Sequence, residues 1–278
     1  MSNAVERLRI VPNLREALLL PLHHWQFASS LMVGPVVLLT ISRIPLVWMN
    51  PQESAIKVAG LLSIIVLIGV LTTLAVSWHR FILLNEQSGS VSRLWRWSRR
   101  ETRFLLYGIA IAIVWWLVGM IAVIPVAVVS GIFIGDSLPV AIILGGVGAL
   151  VILGICGYFC GPISLILPAT AIDRRPASSW FDWAWTQSKD NEWALAALVF
   201  IIPFPVLWLL DHISGKLLLD ARQSTAMVAI GMVALESAID SLSTIFAVGV
   251  LSIAYKRLFP TTGLGQEPTE LATVPLSE

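Results

Sequence analysis

Residues 56–79 read IKVAGLLSIIVLIGVLTTLAVSWH, and the only Lys, Arg, Asp or Glu among them is Lys57, next to the start. At about 1.5 Å per residue, a helix of this length crosses a hydrocarbon core about 30 Å thick. Comparable stretches lie near residues 26–48, 104–134, 140–167, 194–211 and 226–255. An apolar segment in lipid must satisfy its own backbone hydrogen bonds, so each is expected to be helical. The expected fold is therefore an all-α integral membrane protein with six transmembrane helices. Composition agrees: 57% of residues are apolar and only 13% charged, where soluble domains carry about a quarter charged.

Six alternating spans collect fourteen of the eighteen Lys and Arg residues on one side. Arg7, Arg9 and Arg15 precede the first span, and Arg80, Arg93, Arg96, Arg99, Arg100 and Arg103 fall between the second and third. Arg174, Arg175 and Lys189 follow the fourth, and Lys256 and Arg257 follow the sixth. The opposite side receives Lys57, Lys216 and Arg222, with Arg43 inside a span. The positive-inside rule then places both termini in the cytoplasm. A five-span alternative, with 194–211 turning back around Pro203 and Pro205, strands Lys256 and Arg257 on the wrong side. No clean apolar core with a small-residue cleavage site precedes His23 and His24, so the first span is expected to remain in the mature protein. Residues 1–259 read as one membrane domain, and 260–278, rich in Pro, Thr, Gly and Glu, as a disordered cytoplasmic tail.

Many of the twelve Trp residues lie near the expected span ends, at Trp25, Trp48, Trp78, Trp180, Trp193 and Trp208, where an amphipathic ring suits the headgroup layer. The loops before the third and fifth spans resemble each other. Trp95 and Trp97 follow Ser92 in one, Trp183 and Trp185 follow Ser179 in the other, and the two Trp-x-Trp pairs are 88 residues apart. A weaker copy, Leu14 to Leu22, precedes the first span. The expected unit is an interfacial helix, near 8–24, 90–102 and 177–190, followed by a two-helix hairpin, used three times. The exits Ser77-Trp78-His79-Arg80 and Ser252-Ile-Ala-Tyr-Lys-Arg257 also rhyme. Aromatic residues interleaved with arginine suit a helix lying in the interface plane. Such helices either fix the depth of neighbouring spans or contact lipid headgroups or a partner protein, with Arg93, Arg96, Arg99 and Arg100 on phosphate beside Trp95, Trp97, Trp183 and Trp185.

Charges at membrane depth are costly and mark candidate sites. Arg43 lies deep in the first span, while Glu236 and Asp240 stand four residues apart on one face of the sixth. Counting back from Tyr255 places Asp240 in the outer half of the bilayer, at a depth similar to Arg43. Pairing ties the first span to the last, as a structural clamp or as a carboxylate site for a proton or cation. Gly157 and Gly161 form a small-xxx-small face for close helix packing, within one chain or across a homo-oligomer. Spans three and four read as a tight hairpin.

No catalytic constellation stands out. The four His residues make no metalloprotease spacing, Cys156 and Cys160 are one helical turn apart and poorly placed for a disulfide, and neither a nucleophile elbow nor a phosphate-binding glycine loop is present. Asp211 and His212 read as an outer boundary loop. No metal, cofactor or catalytic residue is expected. With a net charge of +1 and no long basic run, nucleic acid is not an expected partner.

The segments Ser164-Leu-Ile-Leu-Pro-Ala-Thr-Ala171, Ala184-Trp-Thr-Gln187, Asn191-Glu-Trp193 and Leu251-Ser-Ile-Ala-Tyr-Lys-Arg257 resemble a bacterial family of six-span proteins of uncharacterised function. That family is similar to the membrane domain fused to some glycerophosphodiester phosphodiesterases. No hydrolase domain is seen in this chain, so the resemblance implies no phosphodiesterase activity. It implies a bacterial inner-membrane location and an envelope- or lipid-related role. The leading expectation is a non-enzymatic protein that binds membrane lipid or a membrane protein partner; the alternative is a small transporter or channel using Arg43, Glu236 and Asp240.

Overall fold

The computed structural model describes residues 7–48, 54–86, 97–133, 138–174 and 179–259. Every regular element among them is helical. The order is α1 (Ile10–His23), α2 (Trp25–Trp48), α3 (Ser54–Leu84), α4 (Arg99–Phe133), α5 (Leu138–Ser164), α6 (Ile166–Ala171), α7 (Trp180–Gln187), α8 (Glu192–Ala196), a π turn (Ala197–Ile201), α9 (Pro203–Ala221) and α10 (Ala226–Leu258). Six stretches are long and apolar enough to cross a membrane: Trp25–Trp48, Ser54–Leu84, Arg99–Pro125, Gly146–Ala171, Glu192–Ala221 and Ala226–Leu258. The chain is thus an all-α six-span protein.

The spans pair as sequential hairpins, α2 with α3, α4 with α5, and α9 with α10. α10 also packs on α1, α2 and α3 and forms the axis of the bundle. Burial follows from this position, since half of the α10 window lies inside the protein but only 6% of the α4 window. The bare face of α4 carries Leu106, Ile109, Ile113, Trp116 and Ile121, which suits lipid contact rather than packing. Around α10 one core layer joins Leu31, Leu74, Trp78, Phe81 and Ile245. A second joins Leu165, Ala169, Leu195, Leu251 and Tyr255.

Three features differ from the sequence expectation. The segment expected as an interfacial helix near 90–102 lies outside the described residues from 90 to 96, and 99–102 form the first turn of α4 itself. Ser98 starts that helix, its hydroxyl meeting both the Arg100 amide and the Glu101 carboxylate, while Glu101 also accepts from the Ser98 amide at 2.9 Å. This reciprocal cap fixes the start of α4 at the loop. The helices before the first and third hairpins, α1 and α7, do fall inside 8–24 and 177–190.

The fifth span is the second difference. It continues past 211 to Ala221 and widens into a π turn in which Ile202 N–H donates to Ala197 C=O, five residues back, at 3.0 Å. Pro203 follows directly. Proline lacks an N–H and its ring crowds the carbonyl four residues earlier, so a wider turn accommodates it without ending the helix. Asp211 and His212 are therefore helical, and the His212 ring stacks on Trp208 at 5.7 Å.

The third difference is Trp78. Trp25, Trp48, Trp193 and Trp208 are exposed, but Trp78 is fully buried. α3 runs on to Leu84, so Trp78 sits inside the bundle, parallel to Phe27 and Phe81 and beside Gly249 of α10. The expected tail over 260–278 lies outside the described residues.

Candidate functional site

The basic residues converge because the hairpins return their ends to one place. Arg80, near the end of α3, holds Glu86 through two bonds of 2.6 Å and reaches Ala171 C=O at 3.2 Å. Arg100, at the start of α4, holds Asp173 at 2.6 and 2.8 Å. Arg174 donates to the Tyr255 hydroxyl of α10 at 3.3 Å and lies 5.1 Å from the centre of the Phe259 ring. Arg257 closes on Glu16 of α1 at 2.9 Å, and Leu8 N–H donates to Asn191 Oδ1 at 2.8 Å. α1 and the end of α10 therefore meet at the end of the bundle that also holds the end of α3, the start of α4 and the end of α6.

Helix exits at this end use residues that tolerate the left-handed backbone. Asn85, Asp173 and Asp190 have φ of 54°, 57° and 69°, a conformation that Asn and Asp accept more readily than other side chains. Asp173 thus turns the chain and anchors Arg100 at once.

Of the aromatic and basic residues singled out from the sequence, Arg93, Trp95 and Arg96 lie outside the described residues. Trp97 is exposed, its indole donating to Thr102 at 2.7 Å, and Arg99 is exposed. Trp183 stacks on Phe259 at 5.1 Å, and Trp185 lies among Tyr158, Phe159 and Phe181. These two rings join α7 to the bundle, while Phe181 and Trp193 are exposed beside them.

A second cluster lies away from the basic end. Arg43 Nη2 donates to Asp240 Oδ2 at 2.5 Å, and Arg43 Nη1 faces Glu236 Oε1 at 3.4 Å. Arg43 and Glu236 are buried, while the Asp240 side chain is 24% exposed. The three line a cavity of about 390 Å³ with Ser214 of α9 and Ser243 and Thr244 of α10. Two carboxylates against one guanidinium leave one net negative charge when all are ionised. The arrangement joins α2 to α10, and the hydroxyls add polar groups around it.

Gly157 and Gly161 face α8. A Cβ at Gly157 would stand 3.0 Å from Ala196 Cβ, and one at Gly161 would stand 3.2 Å from Ala196 N and Leu195 Cβ. This glycine face is therefore used within one chain. Cys156 and Cys160 are free and buried. Among the described residues no group of three or more His, Cys, Asp or Glu side chains is placed to hold a metal ion.

Sequence reading missed the contact between His79 and Ser252, whose Nδ1 and Oγ are 2.7 Å apart in the buried interior. The signal was the likeness of the two exits, since these similar segments of α3 and α10 pack against each other. It missed as well a small pocket of about 160 Å³ at the basic end, between α4, α6 and α7.

These features define an all-α, multi-pass membrane protein with a basic, aromatic end and a separate charged cavity. No protein-family model matches the chain, and no curated protein or solved structure is significantly similar to it.

Proposed function

We propose that the chain is a non-enzymatic multi-pass protein of the bacterial inner membrane, with both termini cytoplasmic, that binds anionic lipid in an envelope-related role. The observation that carries this reading is the gathering of basic side chains at one end of the bundle, where Arg80, Arg100 and Arg257 are paired with Glu86, Asp173 and Glu16 while Arg103 and Arg174 have no ion-pair partner among the described residues and lie beside Trp180, with Phe181 exposed next in the chain. Basic residues at a membrane surface gain about 1 kcal/mol each from anionic lipid, and aromatic rings prefer the same layer. The positive-inside rule supports a cytoplasmic location for this end.

The test is native mass spectrometry of the protein extracted in mild detergent, comparing wild type with the Arg93, Arg96, Arg99, Arg100→Ala variant. A stoichiometric lipid adduct lost in the variant supports the reading. A protein adduct lost in its place favours a membrane protein partner, and identical spectra without an adduct sink both.

A second reading has its own observation, the open cavity beside Arg43, Glu236 and Asp240. A net negative site deep in a span suits transient binding of a proton or small cation by a transporter. In proteoliposomes this reading expects a cation or proton flux that Asp240→Asn abolishes while the variant stays folded. The lipid reading expects no such flux.

A further inference from the structure

We infer that the pocket formed by Arg103, Tyr107, Thr170, Asp173, Arg174 and Trp180 is a binding site for a phosphate group, presented by the headgroup of an anionic phospholipid. The inference rests on the lipid-binding reading and assigns it a location and a chemistry. Of the arginines singled out from the sequence, neither Arg99 nor Arg100 is among the described residues that line this pocket.

Charge comes first. Asp173 would repel a phosphate, but Arg100 takes its Oδ2 at 2.6 Å and Arg80 stands 3.8 Å from the same oxygen. Its charge is thus offset from outside the pocket. Among the described residues neither Arg103 nor Arg174 has a carboxylate within ion-pair distance. Two guanidiniums therefore face the pocket without a neutralising partner. Arg174 is held by the Tyr255 hydroxyl and the Phe259 ring, contacts that orient it and leave its charge intact. Preorganised guanidinium is the side chain best suited to bind phosphate through paired hydrogen bonds. The C=O of the lining residue Thr170 is occupied, accepting from the Asp173 amide at 3.1 Å. The Thr170 hydroxyl already donates to Ile166 C=O at 2.8 Å, so the lining side chains with donors left for phosphate oxygens are the two arginines, the Tyr107 hydroxyl and the Trp180 indole N–H.

Size and position then select the carrier. At about 30 Å³ per water, 160 Å³ is room for about five waters, which accommodates a phosphate group and falls well short of the ~300 Å³ or more typical of pockets that enclose a whole small molecule. The rest of the ligand must lie outside. Arg103 and Tyr107 are four apart on α4, the helix whose next turns expose Leu106, Ile109 and Ile113. Acyl chains attached to a phosphate in the pocket have an apolar surface to run along, with Trp180 at the mouth 5.4 Å from the Tyr107 ring. A free phosphate shares the headgroup chemistry but gains nothing from this surface.

The experiment uses the full chain, delipidated in mild detergent and titrated with phosphatidylglycerol, with diacylglycerol of the same acyl chains and with inorganic phosphate. Lipid binding is read by native mass spectrometry and phosphate binding by the shift in melting temperature. Wild type is expected to bind phosphatidylglycerol and not diacylglycerol. Affinity should fall about tenfold or more in Arg103→Gln/Arg174→Gln and stay unchanged in Lys216→Gln/Arg222→Gln, which removes the same charge elsewhere. A melting shift with inorganic phosphate, lost in the double variant, without binding of phosphatidylglycerol, would support the pocket but make its source a soluble phosphate. Equal binding of phosphatidylglycerol by wild type and the double variant overturns the site. If the Arg93, Arg96, Arg99, Arg100→Ala variant loses binding at the same time, the lipid-binding reading survives without the pocket; if no protein binds any phosphate ligand, both fall. Should the double variant misfold, Arg103→Gln decides, because that side chain is exposed and forms no ion pair among the described residues. It is expected to fold normally and bind severalfold more weakly, and unchanged binding overturns the inference.

Discussion

Arg43 meets two carboxylates on α10 at 2.5 and 3.4 Å. Removing one partner from a buried ion pair leaves an uncompensated charge at a cost of about 3–5 kcal/mol. Arg43→Leu is therefore expected to destabilise the fold by about 3 kcal/mol, measured by reversible unfolding in mixed micelles. Asp240→Asn should cost less, because Glu236 still faces the guanidinium. Trp78→Ala is expected to cost about 3–5 kcal/mol, since the ring is fully buried against Phe27 and Phe81; a loss below 1 kcal/mol would contradict its place in the core. The charge cluster was legible in the sequence because carboxylates four apart share a helical face and buried charges need partners. Trp78 was not, because a Trp near the end of a hydropathic stretch reads the same whether the helix stops there or continues. Only the extension of α3 to Leu84, against Phe27 of α2 and Gly249 of α10, settles its environment.

The close approach of α5 to α8 depends on absent side chains. Gly161→Val places methyl groups where the α8 backbone already stands at 3.2 Å, and overpacking of this kind costs about 1–3 kcal/mol. Lower thermal stability with unchanged oligomeric state is the expected result; loss of an oligomer with an intact monomer fold would show that the glycine face serves another chain. Spans were readable because twenty-odd apolar residues have few other uses. Their ends were less so. Asp211 and His212 suggested a boundary where α9 continues to Ala221. Likewise Pro203 suggested an interruption, and a π turn instead carries the helix through it. The phosphate pocket was illegible for another reason. Its side chains come from α4, the α6–α7 region and α7, which no single stretch of sequence displays together.

Three hairpins around α10 bring α1 and the end of α10 to the same end of the bundle. Reporter cysteines in a background lacking Cys156 and Cys160 test this arrangement in vesicles. Lys189→Cys and Arg257→Cys are expected to label from one side and Arg222→Cys from the other; labelling of Arg257→Cys from the same side as Arg222→Cys would mean that α10 does not cross the membrane. The basic end and the charged cavity are separate features, so loss of lipid binding in variants of the first should leave Arg43, Glu236 and Asp240 paired. Lipid retention by the whole protein bears most directly on the proposed role. The protein should be extracted in polymer nanodiscs from its own membrane and the retained phospholipids quantified against the bulk. Severalfold enrichment of anionic phospholipid in wild type, reduced toward bulk composition in Arg103→Gln/Arg174→Gln, is the predicted result; bulk composition around the wild-type protein would contradict the account.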